Sequence, residues 1–248
     1  LQVLDYAILV INGMDGVQSH TMTLWRLLER YQVPVFLFVN KMDQNGTDKD
    51  ALLTDLKTHL HENCVDFGRT ERDDSSTEYL FDPEQMENIA VCDERLLEKY
   101  LETGSVDDVE IRELIDQRKL FPCYFGSALK AEGVEDFWNG IRKYTSELQR
   151  PEEFGAKVFK IARDEQGNRL TYMKITGGCL KAKTLLSSRG KQALPGVKQK
   201  QEDWEEKADQ LRLYSGAKYT TITEADAGTV CAVTGLSRTY PGEGLGIE

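Results

Sequence analysis

The sequence lacks the run of about eighteen apolar residues that a membrane-spanning helix needs, and it has no recognisable signal peptide. Its five cysteines are an odd number without a Cys-x-x-Cys pair, which argues against a disulfide framework and a zinc site. The three histidines have no cysteine or carboxylate partner at metal-ligand spacing. We therefore expect reduced thiols, no metal site, no membrane contact and a cytoplasmic location.

The charge is unevenly distributed along the chain. The net charge is −11 over 248 residues, but residues 151–248 carry a balance of +2 and residues 1–150 a balance of −13. Such an asymmetry is typical of two modules with different surroundings. We therefore predict a first domain over residues 1–150 and a second over residues 151–248.

The first module contains three apolar runs bounded by turn residues, at residues 5–11, 35–39 and 121–125. Continuous runs of this kind predict strands that are buried on both faces of a parallel sheet. Apolar residues at helical spacing follow the first run, over residues 18–31, and the third run, over residues 134–148. The alternation of strand and helix predicts a doubly wound α/β fold.

Acidic residues dominate positions 62–119, which we interpret as an insertion between the second and third strands. Its second half predicts two short helices, at residues 93–101 and 106–119, the latter opened by a Ser105-x-x-Asp108 capping pattern. From residue 154 onward, short alternating segments separated by glycine turns predict an all-β barrel.

Polar residues follow the second and third predicted strands directly, in the sequences VNKMDQNG and FGSAL. Ligands of doubly wound sheets bind beyond the carboxyl ends of the strands. A carboxylate at Asp43 can accept two parallel hydrogen bonds, which matches the ring N–H and amine of guanine and does not match adenine. Asn40 either donates to a ring nitrogen or ties the two loops together, and the stem of Lys41 can cover an aromatic face.

Small residues in the second of these loops allow the backbone to approach a ligand closely. We predict that backbone N–H groups at Ser127 and Ala128 point at a carbonyl oxygen of the base. The alternative is that all these polar residues only turn the chain and cap helices, as Asn45 and Gly46 can do alone.

The run from LQVLDYAILVINGMDGVQ to VFLFVNKMDQNG, together with FPCYFGSAL, resembles the translational GTPases, most closely elongation factor G and the tetracycline ribosomal-protection proteins. The segments VFKIARDEQGNRLTYMKITGGCL and EADAGTVCAVTGL resemble domain two of these factors. The resemblance implies GTP or GDP as ligand. It implies base contacts from Asn40, Lys41 and Asp43, with backbone support from Ser127, Ala128 and Leu129.

Other parts of that family's pattern are missing. No GxxxxGK[ST] phosphate loop occurs in the sequence, and the family's switch regions and its water-positioning histidine have no counterpart. We therefore interpret the chain as an internal fragment: the C-terminal part of a GTP-binding domain plus the β-barrel. The intact protein is expected to be a Mg²⁺-dependent GTPase. The fragment is expected to contain no catalytic residues and to be inactive. The alternative is an interaction module that kept the fold and lost the chemistry.

The resemblance also implies a partner, the ribosome, with the barrel contacting ribosomal RNA. Six basic residues and no acidic one lie between positions 181 and 200, which suits an RNA contact and a solvated loop equally well. The apolar strand at residues 5–11 lacks the neighbour it has in the family. Because an unpaired strand edge exposes backbone groups, we predict self-association there or occlusion of this edge by another part of the chain.

Overall fold

The computed structural model describes residue 1 and residues 3–68, 81–146, 149–187 and 204–248. The chain divides into two compact units, with the division between residues 147 and 148. None of the helices in the described ranges is both long and apolar enough to span a membrane.

The first unit contains a parallel four-stranded sheet with helices on both faces. The strand order is β1-β2-β4-β3, and all three strand pairs are parallel. In chain order the elements are β1 Ala7–Asn12, α1 Ser19–Arg30, β2 Val35–Asn40, α2 Lys49–His59, β3 Cys64–Asp66, α3 Pro83–Ala90, α4 Glu94–Thr103, α5 Asp108–Asp116, β4 Phe121–Phe125 and α6 Val134–Tyr144. The α/β fold class predicted from the sequence is confirmed.

Each face of this sheet has its own apolar core. The face toward α1 and α2 buries Leu9, Ile11, Trp25, Leu28, Val35, Leu37, Val39, Leu52 and Leu56. The other face buries Phe36, Phe38, Tyr124, Ile89, Ile111, Ile115 and Tyr144, with side chains of α3, α5 and α6 among them. β2 is therefore buried on both faces, as its continuous apolar run predicts.

β1 departs from the expectation of full burial. Leu9 and Ile11 are buried, but Ile8 and Val10 on the opposite face are 51% and 59% exposed. β1 is the edge strand of the described sheet and pairs only with β2, and Ile8 and Val10 are not part of the apolar core on that face.

The acidic region at residues 62–119 differs in three respects from the prediction. β3 lies inside it and pairs with β4, so the region contributes a strand to the sheet. The helix α3 was not predicted, although Asp82 and Gln85 form its capping box. The capping box of α5 is formed by Asp107 and Glu110, two positions after the predicted Ser105–Asp108 pattern.

The second unit is antiparallel β structure, which confirms the predicted all-β class. Its main sheet has the order β11-β10-β13-β6-β5-β14, and two smaller sheets pair β12 with β7 and β8 with β9. The strands are β5 Gly155–Arg163, β6 Arg169–Gly177, β7 Cys179–Lys181, β8 Leu185–Ser187, β9 Glu205–Lys207, β10 Leu211–Ser215, β11 Lys218–Ile222, β12 Glu224–Asp226, β13 Val230–Val233 and β14 Gly244–Gly246. They enclose a separate core that includes Val158, Met173, Ile175, Leu211 and Val233.

Candidate functional site

Two polar loops meet at the carboxyl edge of the parallel sheet, where β2 and β4 end side by side. We call residues 40–43 the Asn-Lys-Met-Asp loop and residues 126–129 the Gly-Ser-Ala-Leu loop. Val39 pairs with Phe125 at the ends of the two strands. Beyond that point Gly126 N–H donates to Val39 O at 2.9 Å, and Met42 N–H donates to Gly126 O at 3.0 Å. Backbone hydrogen bonds therefore fix the two loops against each other.

The Asn40 side chain also joins the two loops. Its Oδ1 accepts hydrogen bonds from Lys41 N–H at 2.8 Å and from Ala128 N–H at 2.9 Å. The sequence left two roles open for Asn40, donation to a ring nitrogen and a tie between the two loops. The side-chain carbonyl oxygen makes the tie. The Nδ2 amide has no partner within the described part of the chain, so it can still donate to a ligand.

Lys41 has a backbone conformation that is rare for a residue with a side chain. Its φ is +67°, in the left-handed region, and its side chain is exposed. This conformation costs a non-glycine residue roughly 1–2 kcal/mol. The fixed contacts of its neighbours Asn40 and Met42 hold Lys41 in this conformation.

Asp43 lies between the two loops with 16% of its side chain exposed. A hydrogen bond from the Ser127 hydroxyl lowers its pKa below the ordinary value for aspartate, and its own backbone N–H and the nearby Lys130 act in the same direction. Partial burial of Asp43 raises its pKa, but the net shift is downward. Asp43 is therefore ionised at neutral pH, and its oxygens act only as acceptors.

The backbone donors predicted at Ser127 and Ala128 are already in use. Ser127 N–H donates to Glu132 O at 3.0 Å, and Ala128 N–H donates to Asn40 Oδ1. Both N–H groups serve to hold the loop in this structure, and their contact with a ligand stays a prediction. Within the described residues of this loop, only Leu129 N–H lacks a protein acceptor, and the Leu129 side chain is 92% exposed.

Three further residues support the site and were not identified from the sequence. Gly13 N–H donates to Asn40 O at 2.8 Å, which links the end of β1 to the Asn-Lys-Met-Asp loop. Thr47 Oγ1 donates to the carbonyl of Met42 at 3.0 Å. Lys130 Nζ lies 3.8 Å from Asp43 Oδ2. No sequence pattern indicates these contacts, because each depends on how separate loops pack.

A second surface of interest lies on the main sheet of the β unit. Four aromatic rings follow one another across it at centroid distances of 6.2, 5.7 and 5.3 Å: Phe159, Tyr172, Tyr214 and Tyr219. Lys160 Nζ lies 5.3 Å from the Tyr172 ring centre, and the Arg212 guanidinium lies 4.4 Å from that of Tyr219. We call these six residues the aromatic row.

The basic stretch at residues 181–200 falls mostly outside the described residues. Lys181 and Lys183 are described, and Lys183 Nζ pairs with Asp209 at 3.1 Å. Arg189, Lys191, Lys198 and Lys200 lie beyond the described ranges. In the part of the chain that is described, no group of three or more histidine, cysteine or acidic side chains is arranged to hold a metal ion.

Comparison with known proteins identifies relatives for most of the chain. Residues 1–147 match the family model described as the elongation factor Tu GTP binding domain. A tetracycline resistance protein, TetM from Streptococcus pneumoniae, is 34% identical over 73% of this chain, and TetS from Listeria monocytogenes is 33% identical over 73%. Elongation factor G from Ureaplasma parvum is 27% identical over 98% of this chain.

A solved structure shares the fold over nearly the whole length. The crystal structure of a protein from Thermus thermophilus matches 99% of this chain with a TM-score of 0.74 and 24% sequence identity. The chain spans only part of each relative: 29% of the two tetracycline resistance proteins, 42% of the elongation factor G and 41% of the Thermus protein.

Proposed function

This chain belongs to the family of the elongation factor Tu GTP binding domain, and on that premise we propose that its two loops bind the base of a guanine nucleotide. For a protein with the rest of its relatives' length, we propose hydrolysis of GTP to GDP and phosphate in the course of action on the ribosome. A cytoplasmic location is part of this proposal, because the cysteines are free thiols and disulfides are rare in that compartment.

The partly exposed carboxylate of Asp43, which lies between the two loops, is the observation that carries the proposal. The Ser127 hydroxyl, the Asp43 backbone N–H and Lys130 favour its ionised form, in which its oxygens only accept. Two acceptor positions on such a carboxylate match the ring N–H and the exocyclic amine that guanine presents side by side. Adenine presents an acceptor at the corresponding ring nitrogen, which would face the carboxylate without a proton between them.

Donors for the other edge of guanine come from two groups without protein acceptors in the described structure. We assign Asn40 Nδ2 and Leu129 N–H to the carbonyl oxygen and ring nitrogen of the base, in place of the N–H groups of Ser127 and Ala128. The exposed stem of Lys41 would lie along one face of the ring while its ammonium stays in water.

We identify no residues in this sequence or in the described structure that would bind the phosphates or Mg²⁺ of a nucleotide. The sequence contains no GxxxxGK[ST] loop, and no metal-binding cluster occurs among the described residues. Nucleotide phosphates in such folds are held by a glycine-rich loop and a helix N-terminus. We therefore assign only base recognition to these residues and no step of hydrolysis.

Calorimetric titration of the 248-residue chain with GDP tests this assignment. A base held without its phosphates supplies a few kcal/mol of binding free energy, which corresponds to a Kd of about 1 mM. We expect such weak binding for GDP, weaker binding still for ADP, and no GTP hydrolysis above background. Sub-micromolar GDP affinity, or equal affinity for ADP, would contradict the assignment.

We also propose that the aromatic row is the surface through which the β unit contacts RNA. Aromatic rings tilted against one another, with the ammonium of Lys160 beside them, suit stacking on unpaired bases, at about 1–3 kcal/mol per stacked base. We expect Tyr214→Ala to weaken binding of a single-stranded RNA oligonucleotide by about fivefold or more, with Tyr100→Ala in the first unit as control. Equal affinity of both variants would contradict the proposal.

Self-association through β1 is the third part of the proposal. The strand offers an unpaired edge within the described sheet, together with the exposed side chains of Ile8 and Val10, so a second copy can pair with it. Sedimentation should show dimers of the wild-type chain and monomers of Val10→Lys. Leu101→Lys, on the 76% exposed Leu101 of α4, should leave the dimer intact. A monomeric wild type would refute this part.

A further inference from the structure

Lys130 follows the Gly-Ser-Ala-Leu loop directly and has one contact with Ser127 and one with the carboxylate of Asp43. Its backbone N–H donates to Ser127 Oγ at 3.3 Å, and its ammonium lies 3.8 Å from Asp43 Oδ2. We infer that Lys130 is a positioning residue that sets the pH range in which Asp43 distinguishes guanine from a base without the amine. The inference rests on the proposed function, because it concerns the same carboxylate.

The backbone contact holds the Ser127 side chain. The Lys130 N–H donates to Ser127 Oγ at 3.3 Å, and the Ser127 hydroxyl favours the ionised form of Asp43. Substitution of the Lys130 side chain leaves this N–H in place. Side-chain variants of Lys130 therefore isolate the contribution of the ammonium group.

The ammonium acts by charge and occupies no acceptor position. At 3.8 Å from Asp43 Oδ2 it lies beyond hydrogen-bond distance, so the two acceptor positions assigned to guanine stay open. A cation at that distance nevertheless favours the ionised carboxylate. Lys130 is the charged side chain that acts on Asp43 within the described structure.

The direction of the effect follows from the chemistry of the carboxylate. Protonation of Asp43 replaces an acceptor by a donor, which then faces a donor of guanine. The preference for guanine is therefore present above the pKa of Asp43 and is lost as the pH falls through it. Removal of the ammonium raises the pKa of Asp43 toward its ordinary value, so the preference should be lost at a higher pH.

Carboxyl ¹³C NMR of the free 248-residue chain measures the first half of this inference. For Lys130→Met we expect the midpoint of Asp43 to rise by about 0.2–0.7 pH units, the range for an exposed ion pair. Lys130→Arg should restore the wild-type midpoint. Lys49→Met is the matched control, because Lys49 forms an exposed ion pair with Asp66 at the same sheet edge. An unchanged midpoint in Lys130→Met, or an equal rise in Lys49→Met, would overturn the inference.

The ratio of GDP to IDP affinity, measured from neutral pH down through the titration of Asp43, tests the second half. IDP lacks only the exocyclic amine, so the phosphate contribution cancels in the ratio. We expect the ratio to decline at a higher pH in Lys130→Met than in wild type. If GDP binds more tightly than IDP and this preference declines at the same pH in wild type and Lys130→Met, the role of Lys130 is overturned, whereas the proposed function is not. A ratio of one at every pH overturns both.

Discussion

Replacement of Asp43 by asparagine is expected to change the base preference of the full-length protein from guanine to xanthine. The asparagine amide removes one acceptor and supplies a donor, which faces the amine of guanine and leaves both donors unpaired. Sites that hydrogen-bond a specific substrate group reject mismatched analogues strongly, so we expect a loss of GTP affinity of about 100-fold or more. Xanthosine triphosphate has a carbonyl in place of the amine and should gain affinity.

Competition between GTP and xanthosine triphosphate on both forms of the protein measures this change. Asp48→Asn is the matched control, because Asp48 caps α2 by accepting Ala51 N–H at 2.9 Å, and asparagine is an equally good cap. The control should keep the wild-type preference. If Asp43→Asn also keeps it and loses only some stability, Asp43 is a turn residue and the account of the site is wrong.

Gly126→Ala is expected to destabilise the first unit by about 1–3 kcal/mol or more. A Cβ atom at this position would lie 2.2 Å from the carbonyl oxygen of Glu132 and 3.3 Å from Gly133 Cα, which are both backbone atoms. Backbone atoms of Glu132 and Gly133 can shift only at a considerable cost in free energy, so we expect the end of β4 to move instead. Since Gly126 also bonds Val39 and Met42, the movement should separate the two loops.

Thermal unfolding and amide NMR together test this expectation. The predicted loss corresponds to a fall in Tm of about 3–10 °C for a unit of this size. Gly68→Ala is the control, because the nearest atom to its Cβ is the end of a side chain, Asp66 Oδ1, at 3.1 Å. It should unfold near the wild-type temperature. Unchanged stability of Gly126→Ala, with unshifted amide signals from Lys41 and Ala128, would show that the close packing of this loop is not required.

The elements nearest the site were the most predictable from the sequence. The run of residues 35–39 is apolar at every position and is followed by Asn40. This one pattern predicted the burial of β2, the residue at which it ends and the polar loop that follows it. The helices α1 and α6 carry clear apolar stripes and were found within a few residues of their ends. Pairing of β2 with β4 then brought the two loops together.

Features set by long-range pairing could not be predicted. β3 has three residues and becomes a strand only by pairing with β4, so local composition does not indicate it. Four strands of the β unit, β7, β9, β12 and β14, have three residues each and are specified by their partners in the same way. The N–H of Ser127 was assigned to a ligand because its acceptor, Glu132 O, is a backbone atom that any sequence supplies.

The claim that these two loops recognise guanine is tested most directly by amide-resolved NMR of the 248-residue chain titrated with GMP and, separately, with AMP. The account predicts that GMP shifts the amide signals of Lys41, Asp43 and Leu129 progressively, with Leu129 among the most affected, and that AMP leaves them in place at the same concentration. Equal shifts with AMP, or GMP shifts confined to the aromatic row of the β unit, would contradict it.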